Sequence, residues 1–290
     1  MLLVFAVSSL FISLLSPALG YLFLLSVGGE GLFNNKKAAT VTYSIIISGV
    51  IIFKMMKMIT FMEVGDIVCG VVMIVIIFQE ILKKKNNYIT AFFYSGLIQI
   101  TYSVVRWFAF APIYKERLDA VFLGYRSFIE ENIANLGEQI VNLSQVTLIL
   151  EMTESVKSIM FDYQVAIWGI TMLLGMYVAM VFFARKLDIN WEHHNIRFPY
   201  WFSYILIMTL ALSVFPVTRT VGINGLLIAL VFFLIQGLSI IDHITRQHFK
   251  KSRFVMIGTV VLLILNIFFA VIVSILGLLD YWLDIRKINK

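Results

Sequence analysis

The amino-acid sequence predicts an all-α fold, a polytopic transmembrane helical bundle of about eight spans. Of the 290 residues, 60% are hydrophobic and 14% are charged, and the mean hydropathy is +0.92. An ordinary soluble domain is about 45–50% apolar and about 25% charged, so the composition excludes a soluble enzyme, a disordered chain and a nucleic-acid module. The apolar residues also form long runs, several of them near the length of about 20 residues that crosses a bilayer.

The predicted N-terminal membrane region, residues 1–112, contains four apolar runs. Pro17 interrupts the first run, and proline removes a helical hydrogen bond and clashes with the preceding turn. This run is therefore one bent span or a span plus a shallow half-helix. Three lysines follow the third run, and Pro112 follows the fourth. The runs are residues 2–27, 41–53, 64–82 and 88–111.

Residues 113–162 form a predicted amphipathic, acidic helical insert between the fourth and fifth spans. The segment has four basic and eight acidic residues, a net charge of −4, whereas the rest of the chain has a net charge of +10. Its apolar side chains recur every three or four positions, which is typical of one helix face. This stripe packs on the membrane region, or it contacts a second copy or another partner. Its members are Leu118, Phe122, Tyr125, Ile129, Ile133, Leu136, Ile140 and Leu143.

The predicted C-terminal membrane region, residues 163–290, supplies the remaining spans. A linker of residues 187–199 carries His193 and His194, which we interpret as an interfacial polar patch. The four apolar runs are residues 163–184, 200–217, 223–244 and 254–282.

The distribution of basic residues predicts which side of the membrane each connection faces. Short cytoplasmic loops are enriched in lysine and arginine, so the basic clusters near residues 83–85, 185–186 and 246–253 are predicted to be cytoplasmic. The acidic insert then lies outside. With eight spans both termini would also lie outside, which conflicts with the basic tail at residues 286–290.

Polar side chains within the apolar runs are the candidate functional residues, because such groups are costly in a bilayer. Gln99, Ser103 and Arg106 share one helix face, and they could line a polar cavity. Alternatively, Arg106 reaches the interface along its apolar stem, and the central amides join neighbouring helices. Asp66 and Glu80 are expected at the interface, and Asn266 near the middle of the last span. The candidate polar cavity comprises Gln99, Ser103, Arg106, Asn224 and Gln236.

A second candidate cluster consists of charged residues near helix ends. Asp242 and Arg246 are four residues apart and can form a helical ion pair. Asp280 and Asp284 share a face, and two like charges at this spacing need a basic neighbour such as Arg219 or Arg246, or a ligand. The cluster comprises Asp242, Arg246, Asp280, Asp284 and Arg286.

Catalytic and metal-binding motifs are not apparent in the sequence. The adjacent histidines lack the spacing of a helical metal site, and no phosphate-binding Gly-Lys-Ser/Thr loop is present. The single cysteine, Cys69, cannot form an intramolecular disulfide. We therefore expect no enzymatic activity, no cofactor and no metal ion.

Three stretches of the C-terminal half carry a family resemblance. They read FPY at residues 198–200, GIN followed by FFLIQGLS at residues 222–239, and GLLDYWLDIRK at residues 277–287. In these the chain resembles the YybS-like family of predicted bacterial membrane proteins, whose function is not established. The resemblance covers residues 163–290 best. That family is similar to the substrate-binding subunits of energy-coupling-factor transporters, which bind a vitamin or metal while separate subunits drive uptake.

These observations predict an integral protein of the bacterial cytoplasmic (inner) membrane that binds or transports a small solute. The alternative is a non-catalytic scaffold or assembly subunit that uses the insert to recruit a partner or to self-associate. The expected partners are the lipid bilayer, further membrane subunits or a second copy, and a small-molecule ligand, but not nucleic acid. Basic residues between apolar runs are typical of membrane proteins.

Overall fold

The computed structural model describes residues 2–136, 143–186, 193–248 and 266–286, together with Gly258 and Leu262. Over these residues every regular element is a helix, which confirms the predicted all-helical fold. The α-helices are α1 Leu2–Leu15, α2 Pro17–Leu22, α3 Gly29–Asn34, α4 Lys36–Met55, α5 Phe61–Ile67, α6 Ile74–Lys85, α7 Tyr88–Leu136, α8 Leu143–Asp162, α9 Gln164–Lys186, α10 Phe202–Val214, α11 Arg219–His248 and α12 Ile267–Leu283.

Two π-helical turns extend these elements. Phe23–Val27 continues α2, and Val68–Met73 joins α5 to α6. Among the residues that the structure describes, five helical stretches are long and apolar enough to cross a membrane, so a multi-pass helical protein is supported, while a count of about eight spans stays a prediction. The five are Lys36–Met55, Phe61–Lys85, Tyr88–Asn132, Gln164–Ala184 and Arg219–Arg246.

The first apolar run folds as a helical hairpin, which differs from both predicted alternatives. A Cβ atom on Gly20 would lie 2.4 Å from Ser13 Oγ, and the rings of Phe5 and Phe23 stack at 5.2 Å. These pairs lie on either side of Ser16, so α1 and α2 run antiparallel. Ala18 lies against Gly175, so the turn of the hairpin lies beside the middle of α9, and Leu15 in this turn is 84% exposed. Proline at the first position of α2 favours this turn, because its missing N–H needs no partner there.

The helix α7 continues through Pro112 and has 49 residues, a length of roughly 74 Å. The fourth predicted span and the first half of the insert therefore form one helix, because the loss of a single hydrogen bond at a proline does not have to end a helix. α8 returns beside it, with Lys157 Nζ 2.7 Å from Asp119 Oδ1. We call residues 113–136 and 143–162 the arm.

The bundle has two distinct ends. The arm leaves at one of them, where Arg106 of α7 contacts Trp168 of α9; we call it the arm end. At the opposite end, Lys85 ends α6, and His193 lies beside Asp242 of α11; we call this the basic end.

The last helix, α12, runs parallel to α11. Ser274 Oγ donates to Leu230 O at 3.0 Å, and Arg286 Nη1 donates to Ser239 Oγ at 2.7 Å, so both helices advance in the same direction. The described chain therefore finishes toward the basic end. This position removes the conflict between the basic tail and a terminus on the side of the arm.

Glycines let α11 and α12 approach closely. A Cβ atom on Gly277 would lie 2.0 Å from Phe233 O, and one on Gly237 would lie 2.0 Å from Val273 O. Small residues at such contacts are the usual means by which membrane helices bring their backbones together. This close contact fixes the polar residues of both helices in one place.

Candidate functional site

The described residues that precede α10 lie against the bundle without regular α-helical structure. Residues 193–201, which we call the linker segment, begin with a 3₁₀ turn at His193–Asn195. Ile196 and Phe198 are 2% exposed, so this part of the backbone is inside the protein. Backbone groups at such a depth must find hydrogen bonds within the protein.

Side chains of α11 and α12 supply those hydrogen bonds. Gln236 Oε1 accepts from Phe198 N at 3.0 Å, and Tyr281 Oη donates to Phe198 O at 3.0 Å. Gln236 Nε2 donates to Gly277 O at 2.8 Å. The central amide of Gln236 therefore joins the linker segment to α12, as expected for the helix-joining alternative.

Arg286 completes the set from the end of the described chain. Its Nη1 donates to His194 O, Ile196 O and Ser239 Oγ at 3.0, 2.9 and 2.7 Å. Its Nη2 donates to Asp280 Oδ2 at 2.6 Å, and both side chains are 0% exposed. A fully buried ion pair compensates the two charges and also holds the linker segment against α11.

Arg197 lies beside this pair and was not singled out from the sequence. Its Nη1 donates to Asp284 Oδ1 at 3.2 Å, and its Nη2 donates to Asp280 O at 3.1 Å. The aspartates of α12 thus have Arg197 and Arg286 as neighbours instead of the expected Arg219 or Arg246. The one sequence feature that pointed to a residue such as Arg197 was the pair of aspartates four residues apart, because two like charges at this spacing need a basic neighbour.

The start of the linker segment is held by a second polar group. Asp242 Oδ1 accepts from Arg246 Nε at 3.0 Å, and Asp242 Oδ2 lies 3.2 Å from His193 Nδ1. His193 Nε2 lies 2.5 Å from Tyr177 Oη. His193 is 6% exposed, so it anchors the start of the linker segment through contacts inside the protein.

A cleft of about 550 Å³ opens next to the linker segment. Arg197 is the charged residue in its wall, and aromatic rings form most of the rest. Tyr94 and Tyr200 are 46% and 47% exposed, so the cleft opens on the flank of the bundle. The wall consists of Ile89, Thr90, Phe93 and Tyr94 of α7, residues 197–200, and Tyr281 of α12.

The predicted polar face of α7 makes internal contacts at and near the arm end. Arg106 Nε donates to Asp66 Oδ1 at 2.7 Å, and its Cζ lies 4.0 Å from the centre of the Trp168 ring. Both side chains of this ion pair are therefore buried in the protein, and Asp66, expected at the interface, is 4% exposed. Gln99 Oε1 accepts from Tyr21 Oη at 2.7 Å. Ser103 Oγ donates to the backbone oxygen of Gln99.

Asn224 connects the arm to the bundle. Its Oδ1 accepts from Ala166 N at 2.8 Å, and its Nδ2 donates to Asp162 O at 2.9 Å. Asn224 thus holds the junction of α8 and α9. Each of the five residues of the predicted polar cavity has a hydrogen-bond partner within the protein, and none of them lines the cleft. Asn266, predicted within the last span, instead caps the start of α12, where it accepts from Phe268 N.

The arm carries the predicted partner stripe. Leu118 is buried, Phe122 and Ile129 are half-buried, and Tyr125 is exposed. Several apolar side chains outside the predicted stripe are also exposed on both helices of the arm. The side chains of Ile133, Leu136, Ile140 and Leu143 lie outside the described part. The further exposed residues are Val121, Leu123, Phe128, Leu148, Ile149, Met152, Val156 and Ile159.

No group of three histidine, cysteine or acidic side chains that could hold a metal ion occurs within the described ranges.

A family model described as "Predicted membrane protein (DUF2232)" matches residues 3–281. No curated protein and no solved structure matches the chain significantly.

Proposed function

Because the chain belongs to this family of predicted membrane proteins, we propose that it binds a small solute in the cleft beside the linker segment, within the bacterial cytoplasmic membrane. One observation carries the proposal: backbone without α-helical structure lies inside the bundle and forms one wall of the cleft. Transport proteins build substrate sites from helices that are interrupted by unwound backbone. Clefts lined by aromatic residues with a few polar groups are typical ligand sites.

The hydrogen bonding of the linker segment supports this reading. A continuous helix would satisfy its own backbone groups, whereas this segment needs Gln236, Tyr281 and Arg286. Burying a charged pair for this purpose is costly. Such an arrangement is expected where the backbone serves a site, because interrupted backbone at membrane depth occurs where it is buried or lines a cavity.

The resemblance to the binding subunits of energy-coupling-factor transporters fits a non-enzymatic role. The sequence has no phosphate-binding Gly-Lys-Ser/Thr loop, so ATP-driven uptake would need a separate subunit. In this proposal the chain supplies the binding site, and other membrane subunits supply the energy.

We propose further that the basic end faces the cytoplasm and the arm lies outside. Lys85, Arg246 and Arg286 all lie toward this end, as the positive-inside rule favours. In a Cys69→Ser background, Lys85→Cys should be labelled by a membrane-impermeant maleimide in inverted vesicles. Asp119→Cys should be labelled in intact cells, and the reverse pattern would overturn the orientation.

A cleft-filling variant tests solute binding. Thr90→Trp places a large ring in the cleft, whereas Thr101→Trp adds the same ring at an exposed site of the same helix. Native mass spectrometry of the protein purified from its membrane should show a co-purifying small molecule in the wild type and in Thr101→Trp, but not in Thr90→Trp. Identical spectra for all three proteins would contradict the proposal.

The exposed apolar side chains of the arm favour a second candidate function, assembly of two copies. Both helices of the arm present such residues, including Val121 and Val156. Two arms related by a two-fold axis would bury residues of this kind from both helices in one closed four-helix contact. The double variant Val121→Ser and Val156→Ser should halve the mass measured by light scattering in detergent. Val105 is also exposed, but it lies on the part of α7 that belongs to the bundle, so Val105→Ser should leave the mass unchanged. An unchanged mass in the double variant would exclude this assembly.

A further inference from the structure

The charge and shape of the cleft identify the class of ligand that it suits. We propose that the cleft binds an amphiphile whose oxyanion, a phosphate or carboxylate, contacts Arg197 while its apolar body lies along the aromatic wall. This inference rests on the proposed solute-binding function and names the ligand class for the same site.

Arg197 has donors available for an oxyanion. A guanidinium group carries five N–H donors, and Arg197 uses two of them, toward Asp284 Oδ1 and Asp280 O. The next acidic oxygen, Asp280 Oδ2, is 3.9 Å from Nε, beyond hydrogen-bond distance. Guanidinium groups bind carboxylate and phosphate through paired, charge-assisted hydrogen bonds.

The acidic neighbours of Arg197 do not give the cleft a negative charge. Asp280 is fully buried against Arg286, and neither Asp280 nor Asp284 lines the cleft. Arg197 therefore provides the charge that a ligand meets. Asp284 is the competitor that an incoming oxyanion would displace, and its side chain is 29% exposed. The bond from Arg197 to the backbone oxygen of Asp280 would keep the guanidinium in place.

The apolar half of the ligand fits the remaining wall. Phe93 and Phe198 stack at 5.5 Å, and the ring of Tyr281 adds to the same aromatic wall. Tyr94 and Tyr200 leave the cleft open on the flank of the bundle, where lipid chains lie. The cleft residues of α7 are in its first two turns, near the basic end. An amphiphile can therefore enter sideways with its charged group at the interface and its apolar body in the bilayer.

Binding of three probes to the full chain in neutral detergent micelles tests the ligand class. Decyl phosphate carries both parts, decanol lacks the oxyanion, and inorganic phosphate lacks the apolar body. We expect decyl phosphate to bind about tenfold or more tightly than either of the others. Equal affinity for decyl phosphate and decanol would overturn the inference.

Variants separate ligand recognition from folding. Arg197→Gln should weaken decyl phosphate binding about tenfold and leave decanol unchanged, whereas Arg197→Lys should retain part of the affinity. Asp284→Asn should strengthen binding, because the competing carboxylate is removed. Arg117→Gln is the matched control, since Arg117 pairs with Glu63 at the arm end. Unchanged affinity in Arg197→Gln, or weaker binding in Asp284→Asn, would overturn the inference.

The source of the oxyanion follows from a competition experiment. If phosphatidate in phosphatidylcholine nanodiscs displaces decyl phosphate, the ligand is a lipid with an anionic headgroup; if it does not, the ligand is a soluble amphiphile. Both outcomes retain the inference.

If Thr90→Trp abolishes binding of decanol and decyl phosphate while Arg197→Gln changes neither, the cleft binds solutes but the oxyanion assignment fails. If Thr90→Trp changes nothing, the proposed function itself fails.

Discussion

The linker segment and the arm differ in which side chains they bury and which they expose. Around the linker segment, Arg286 and Asp280 form an ion pair whose side chains are both 0% exposed. In the arm, Lys157 and Asp119 form one whose side chains are 28% and 48% exposed, while apolar residues such as Val121 face outward. The same kind of ion pair is therefore an internal support in one region and a surface contact in the other. The loss of stability on breaking each pair therefore depends on how deeply the pair is buried.

The largest effect is expected from Arg286→Met. This change leaves the Asp280 carboxylate buried without its hydrogen-bonded partner and removes one donor each from His194 O and Ile196 O. Breaking a buried ion pair in this way costs about 3–5 kcal/mol. The melting temperature of the purified protein in detergent should fall sharply. If the fall is no larger than that of Lys157→Met, the contrast between the two regions is wrong.

Gln236→Leu should have the next largest effect. It leaves Phe198 N inside the bundle without its acceptor, and an unpaired buried group of this kind costs about 1–3 kcal/mol. Hydrogen exchange should show faster exchange at the linker segment than in the wild type. Ser127→Ala, which removes a hydroxyl bonded to the backbone on the exposed arm, provides the comparison. Equal exchange in both variants would contradict the structural role of Gln236.

Two glycine substitutions should change stability in opposite directions. Gly277→Ala would place a methyl group 2.0 Å from Phe233 O, and such overpacking costs about 1–3 kcal/mol. A Cβ atom on Gly124 of the arm has no other atom within 4 Å, and alanine favours a helix by about 1 kcal/mol over glycine. Thermal unfolding of both variants measures the difference. A stabilised Gly277→Ala protein would show that α11 and α12 are not in close contact.

The smallest effect is expected from Lys157→Met. Hydrogen bonding with Asp119 raises the pKa of the Lys157 amine, but exposed pairs contribute little to stability and are screened by salt. The melting temperature should equal that of the wild type at both low and high ionic strength. A clear loss of stability at low salt would mean that the arm depends on this pair more than its exposure indicates.

The sequence predicts the all-helical class and many of the polar residues that make internal contacts, but few of the contacts themselves. Hydropathy suffices for the class, because a bilayer requires long apolar helices. Local spacing also predicts a contact such as that of Asp242 with Arg246, since residues four apart on a helix are neighbours. Asp66 and Arg106 are 40 residues apart, and their contact depends on which helices pack together. Spacing carries no signal for that choice.

The linker segment and the N-terminal hairpin were harder to predict for a related reason. Residues 2–27 and 200–217 read as spans, because hydropathy measures apolar content and not the direction of the chain. Ser16 reverses that direction in the first, and the second begins with residues that are not yet helical. Arg197 was missed because it stands in a short polar linker, where a charged residue is ordinarily exposed.

The uninterrupted course of α7 links two distant surfaces of the protein. Its first two turns carry Ile89, Thr90 and Phe93, which form one wall of the cleft, and its last turns form half of the arm. Residues of one helix keep a fixed rise along a common axis, and α7 stays helical across Pro112. The arm and one wall of the cleft therefore belong to the same helix, on either side of the contacts that Arg106 makes with Asp66 and Trp168.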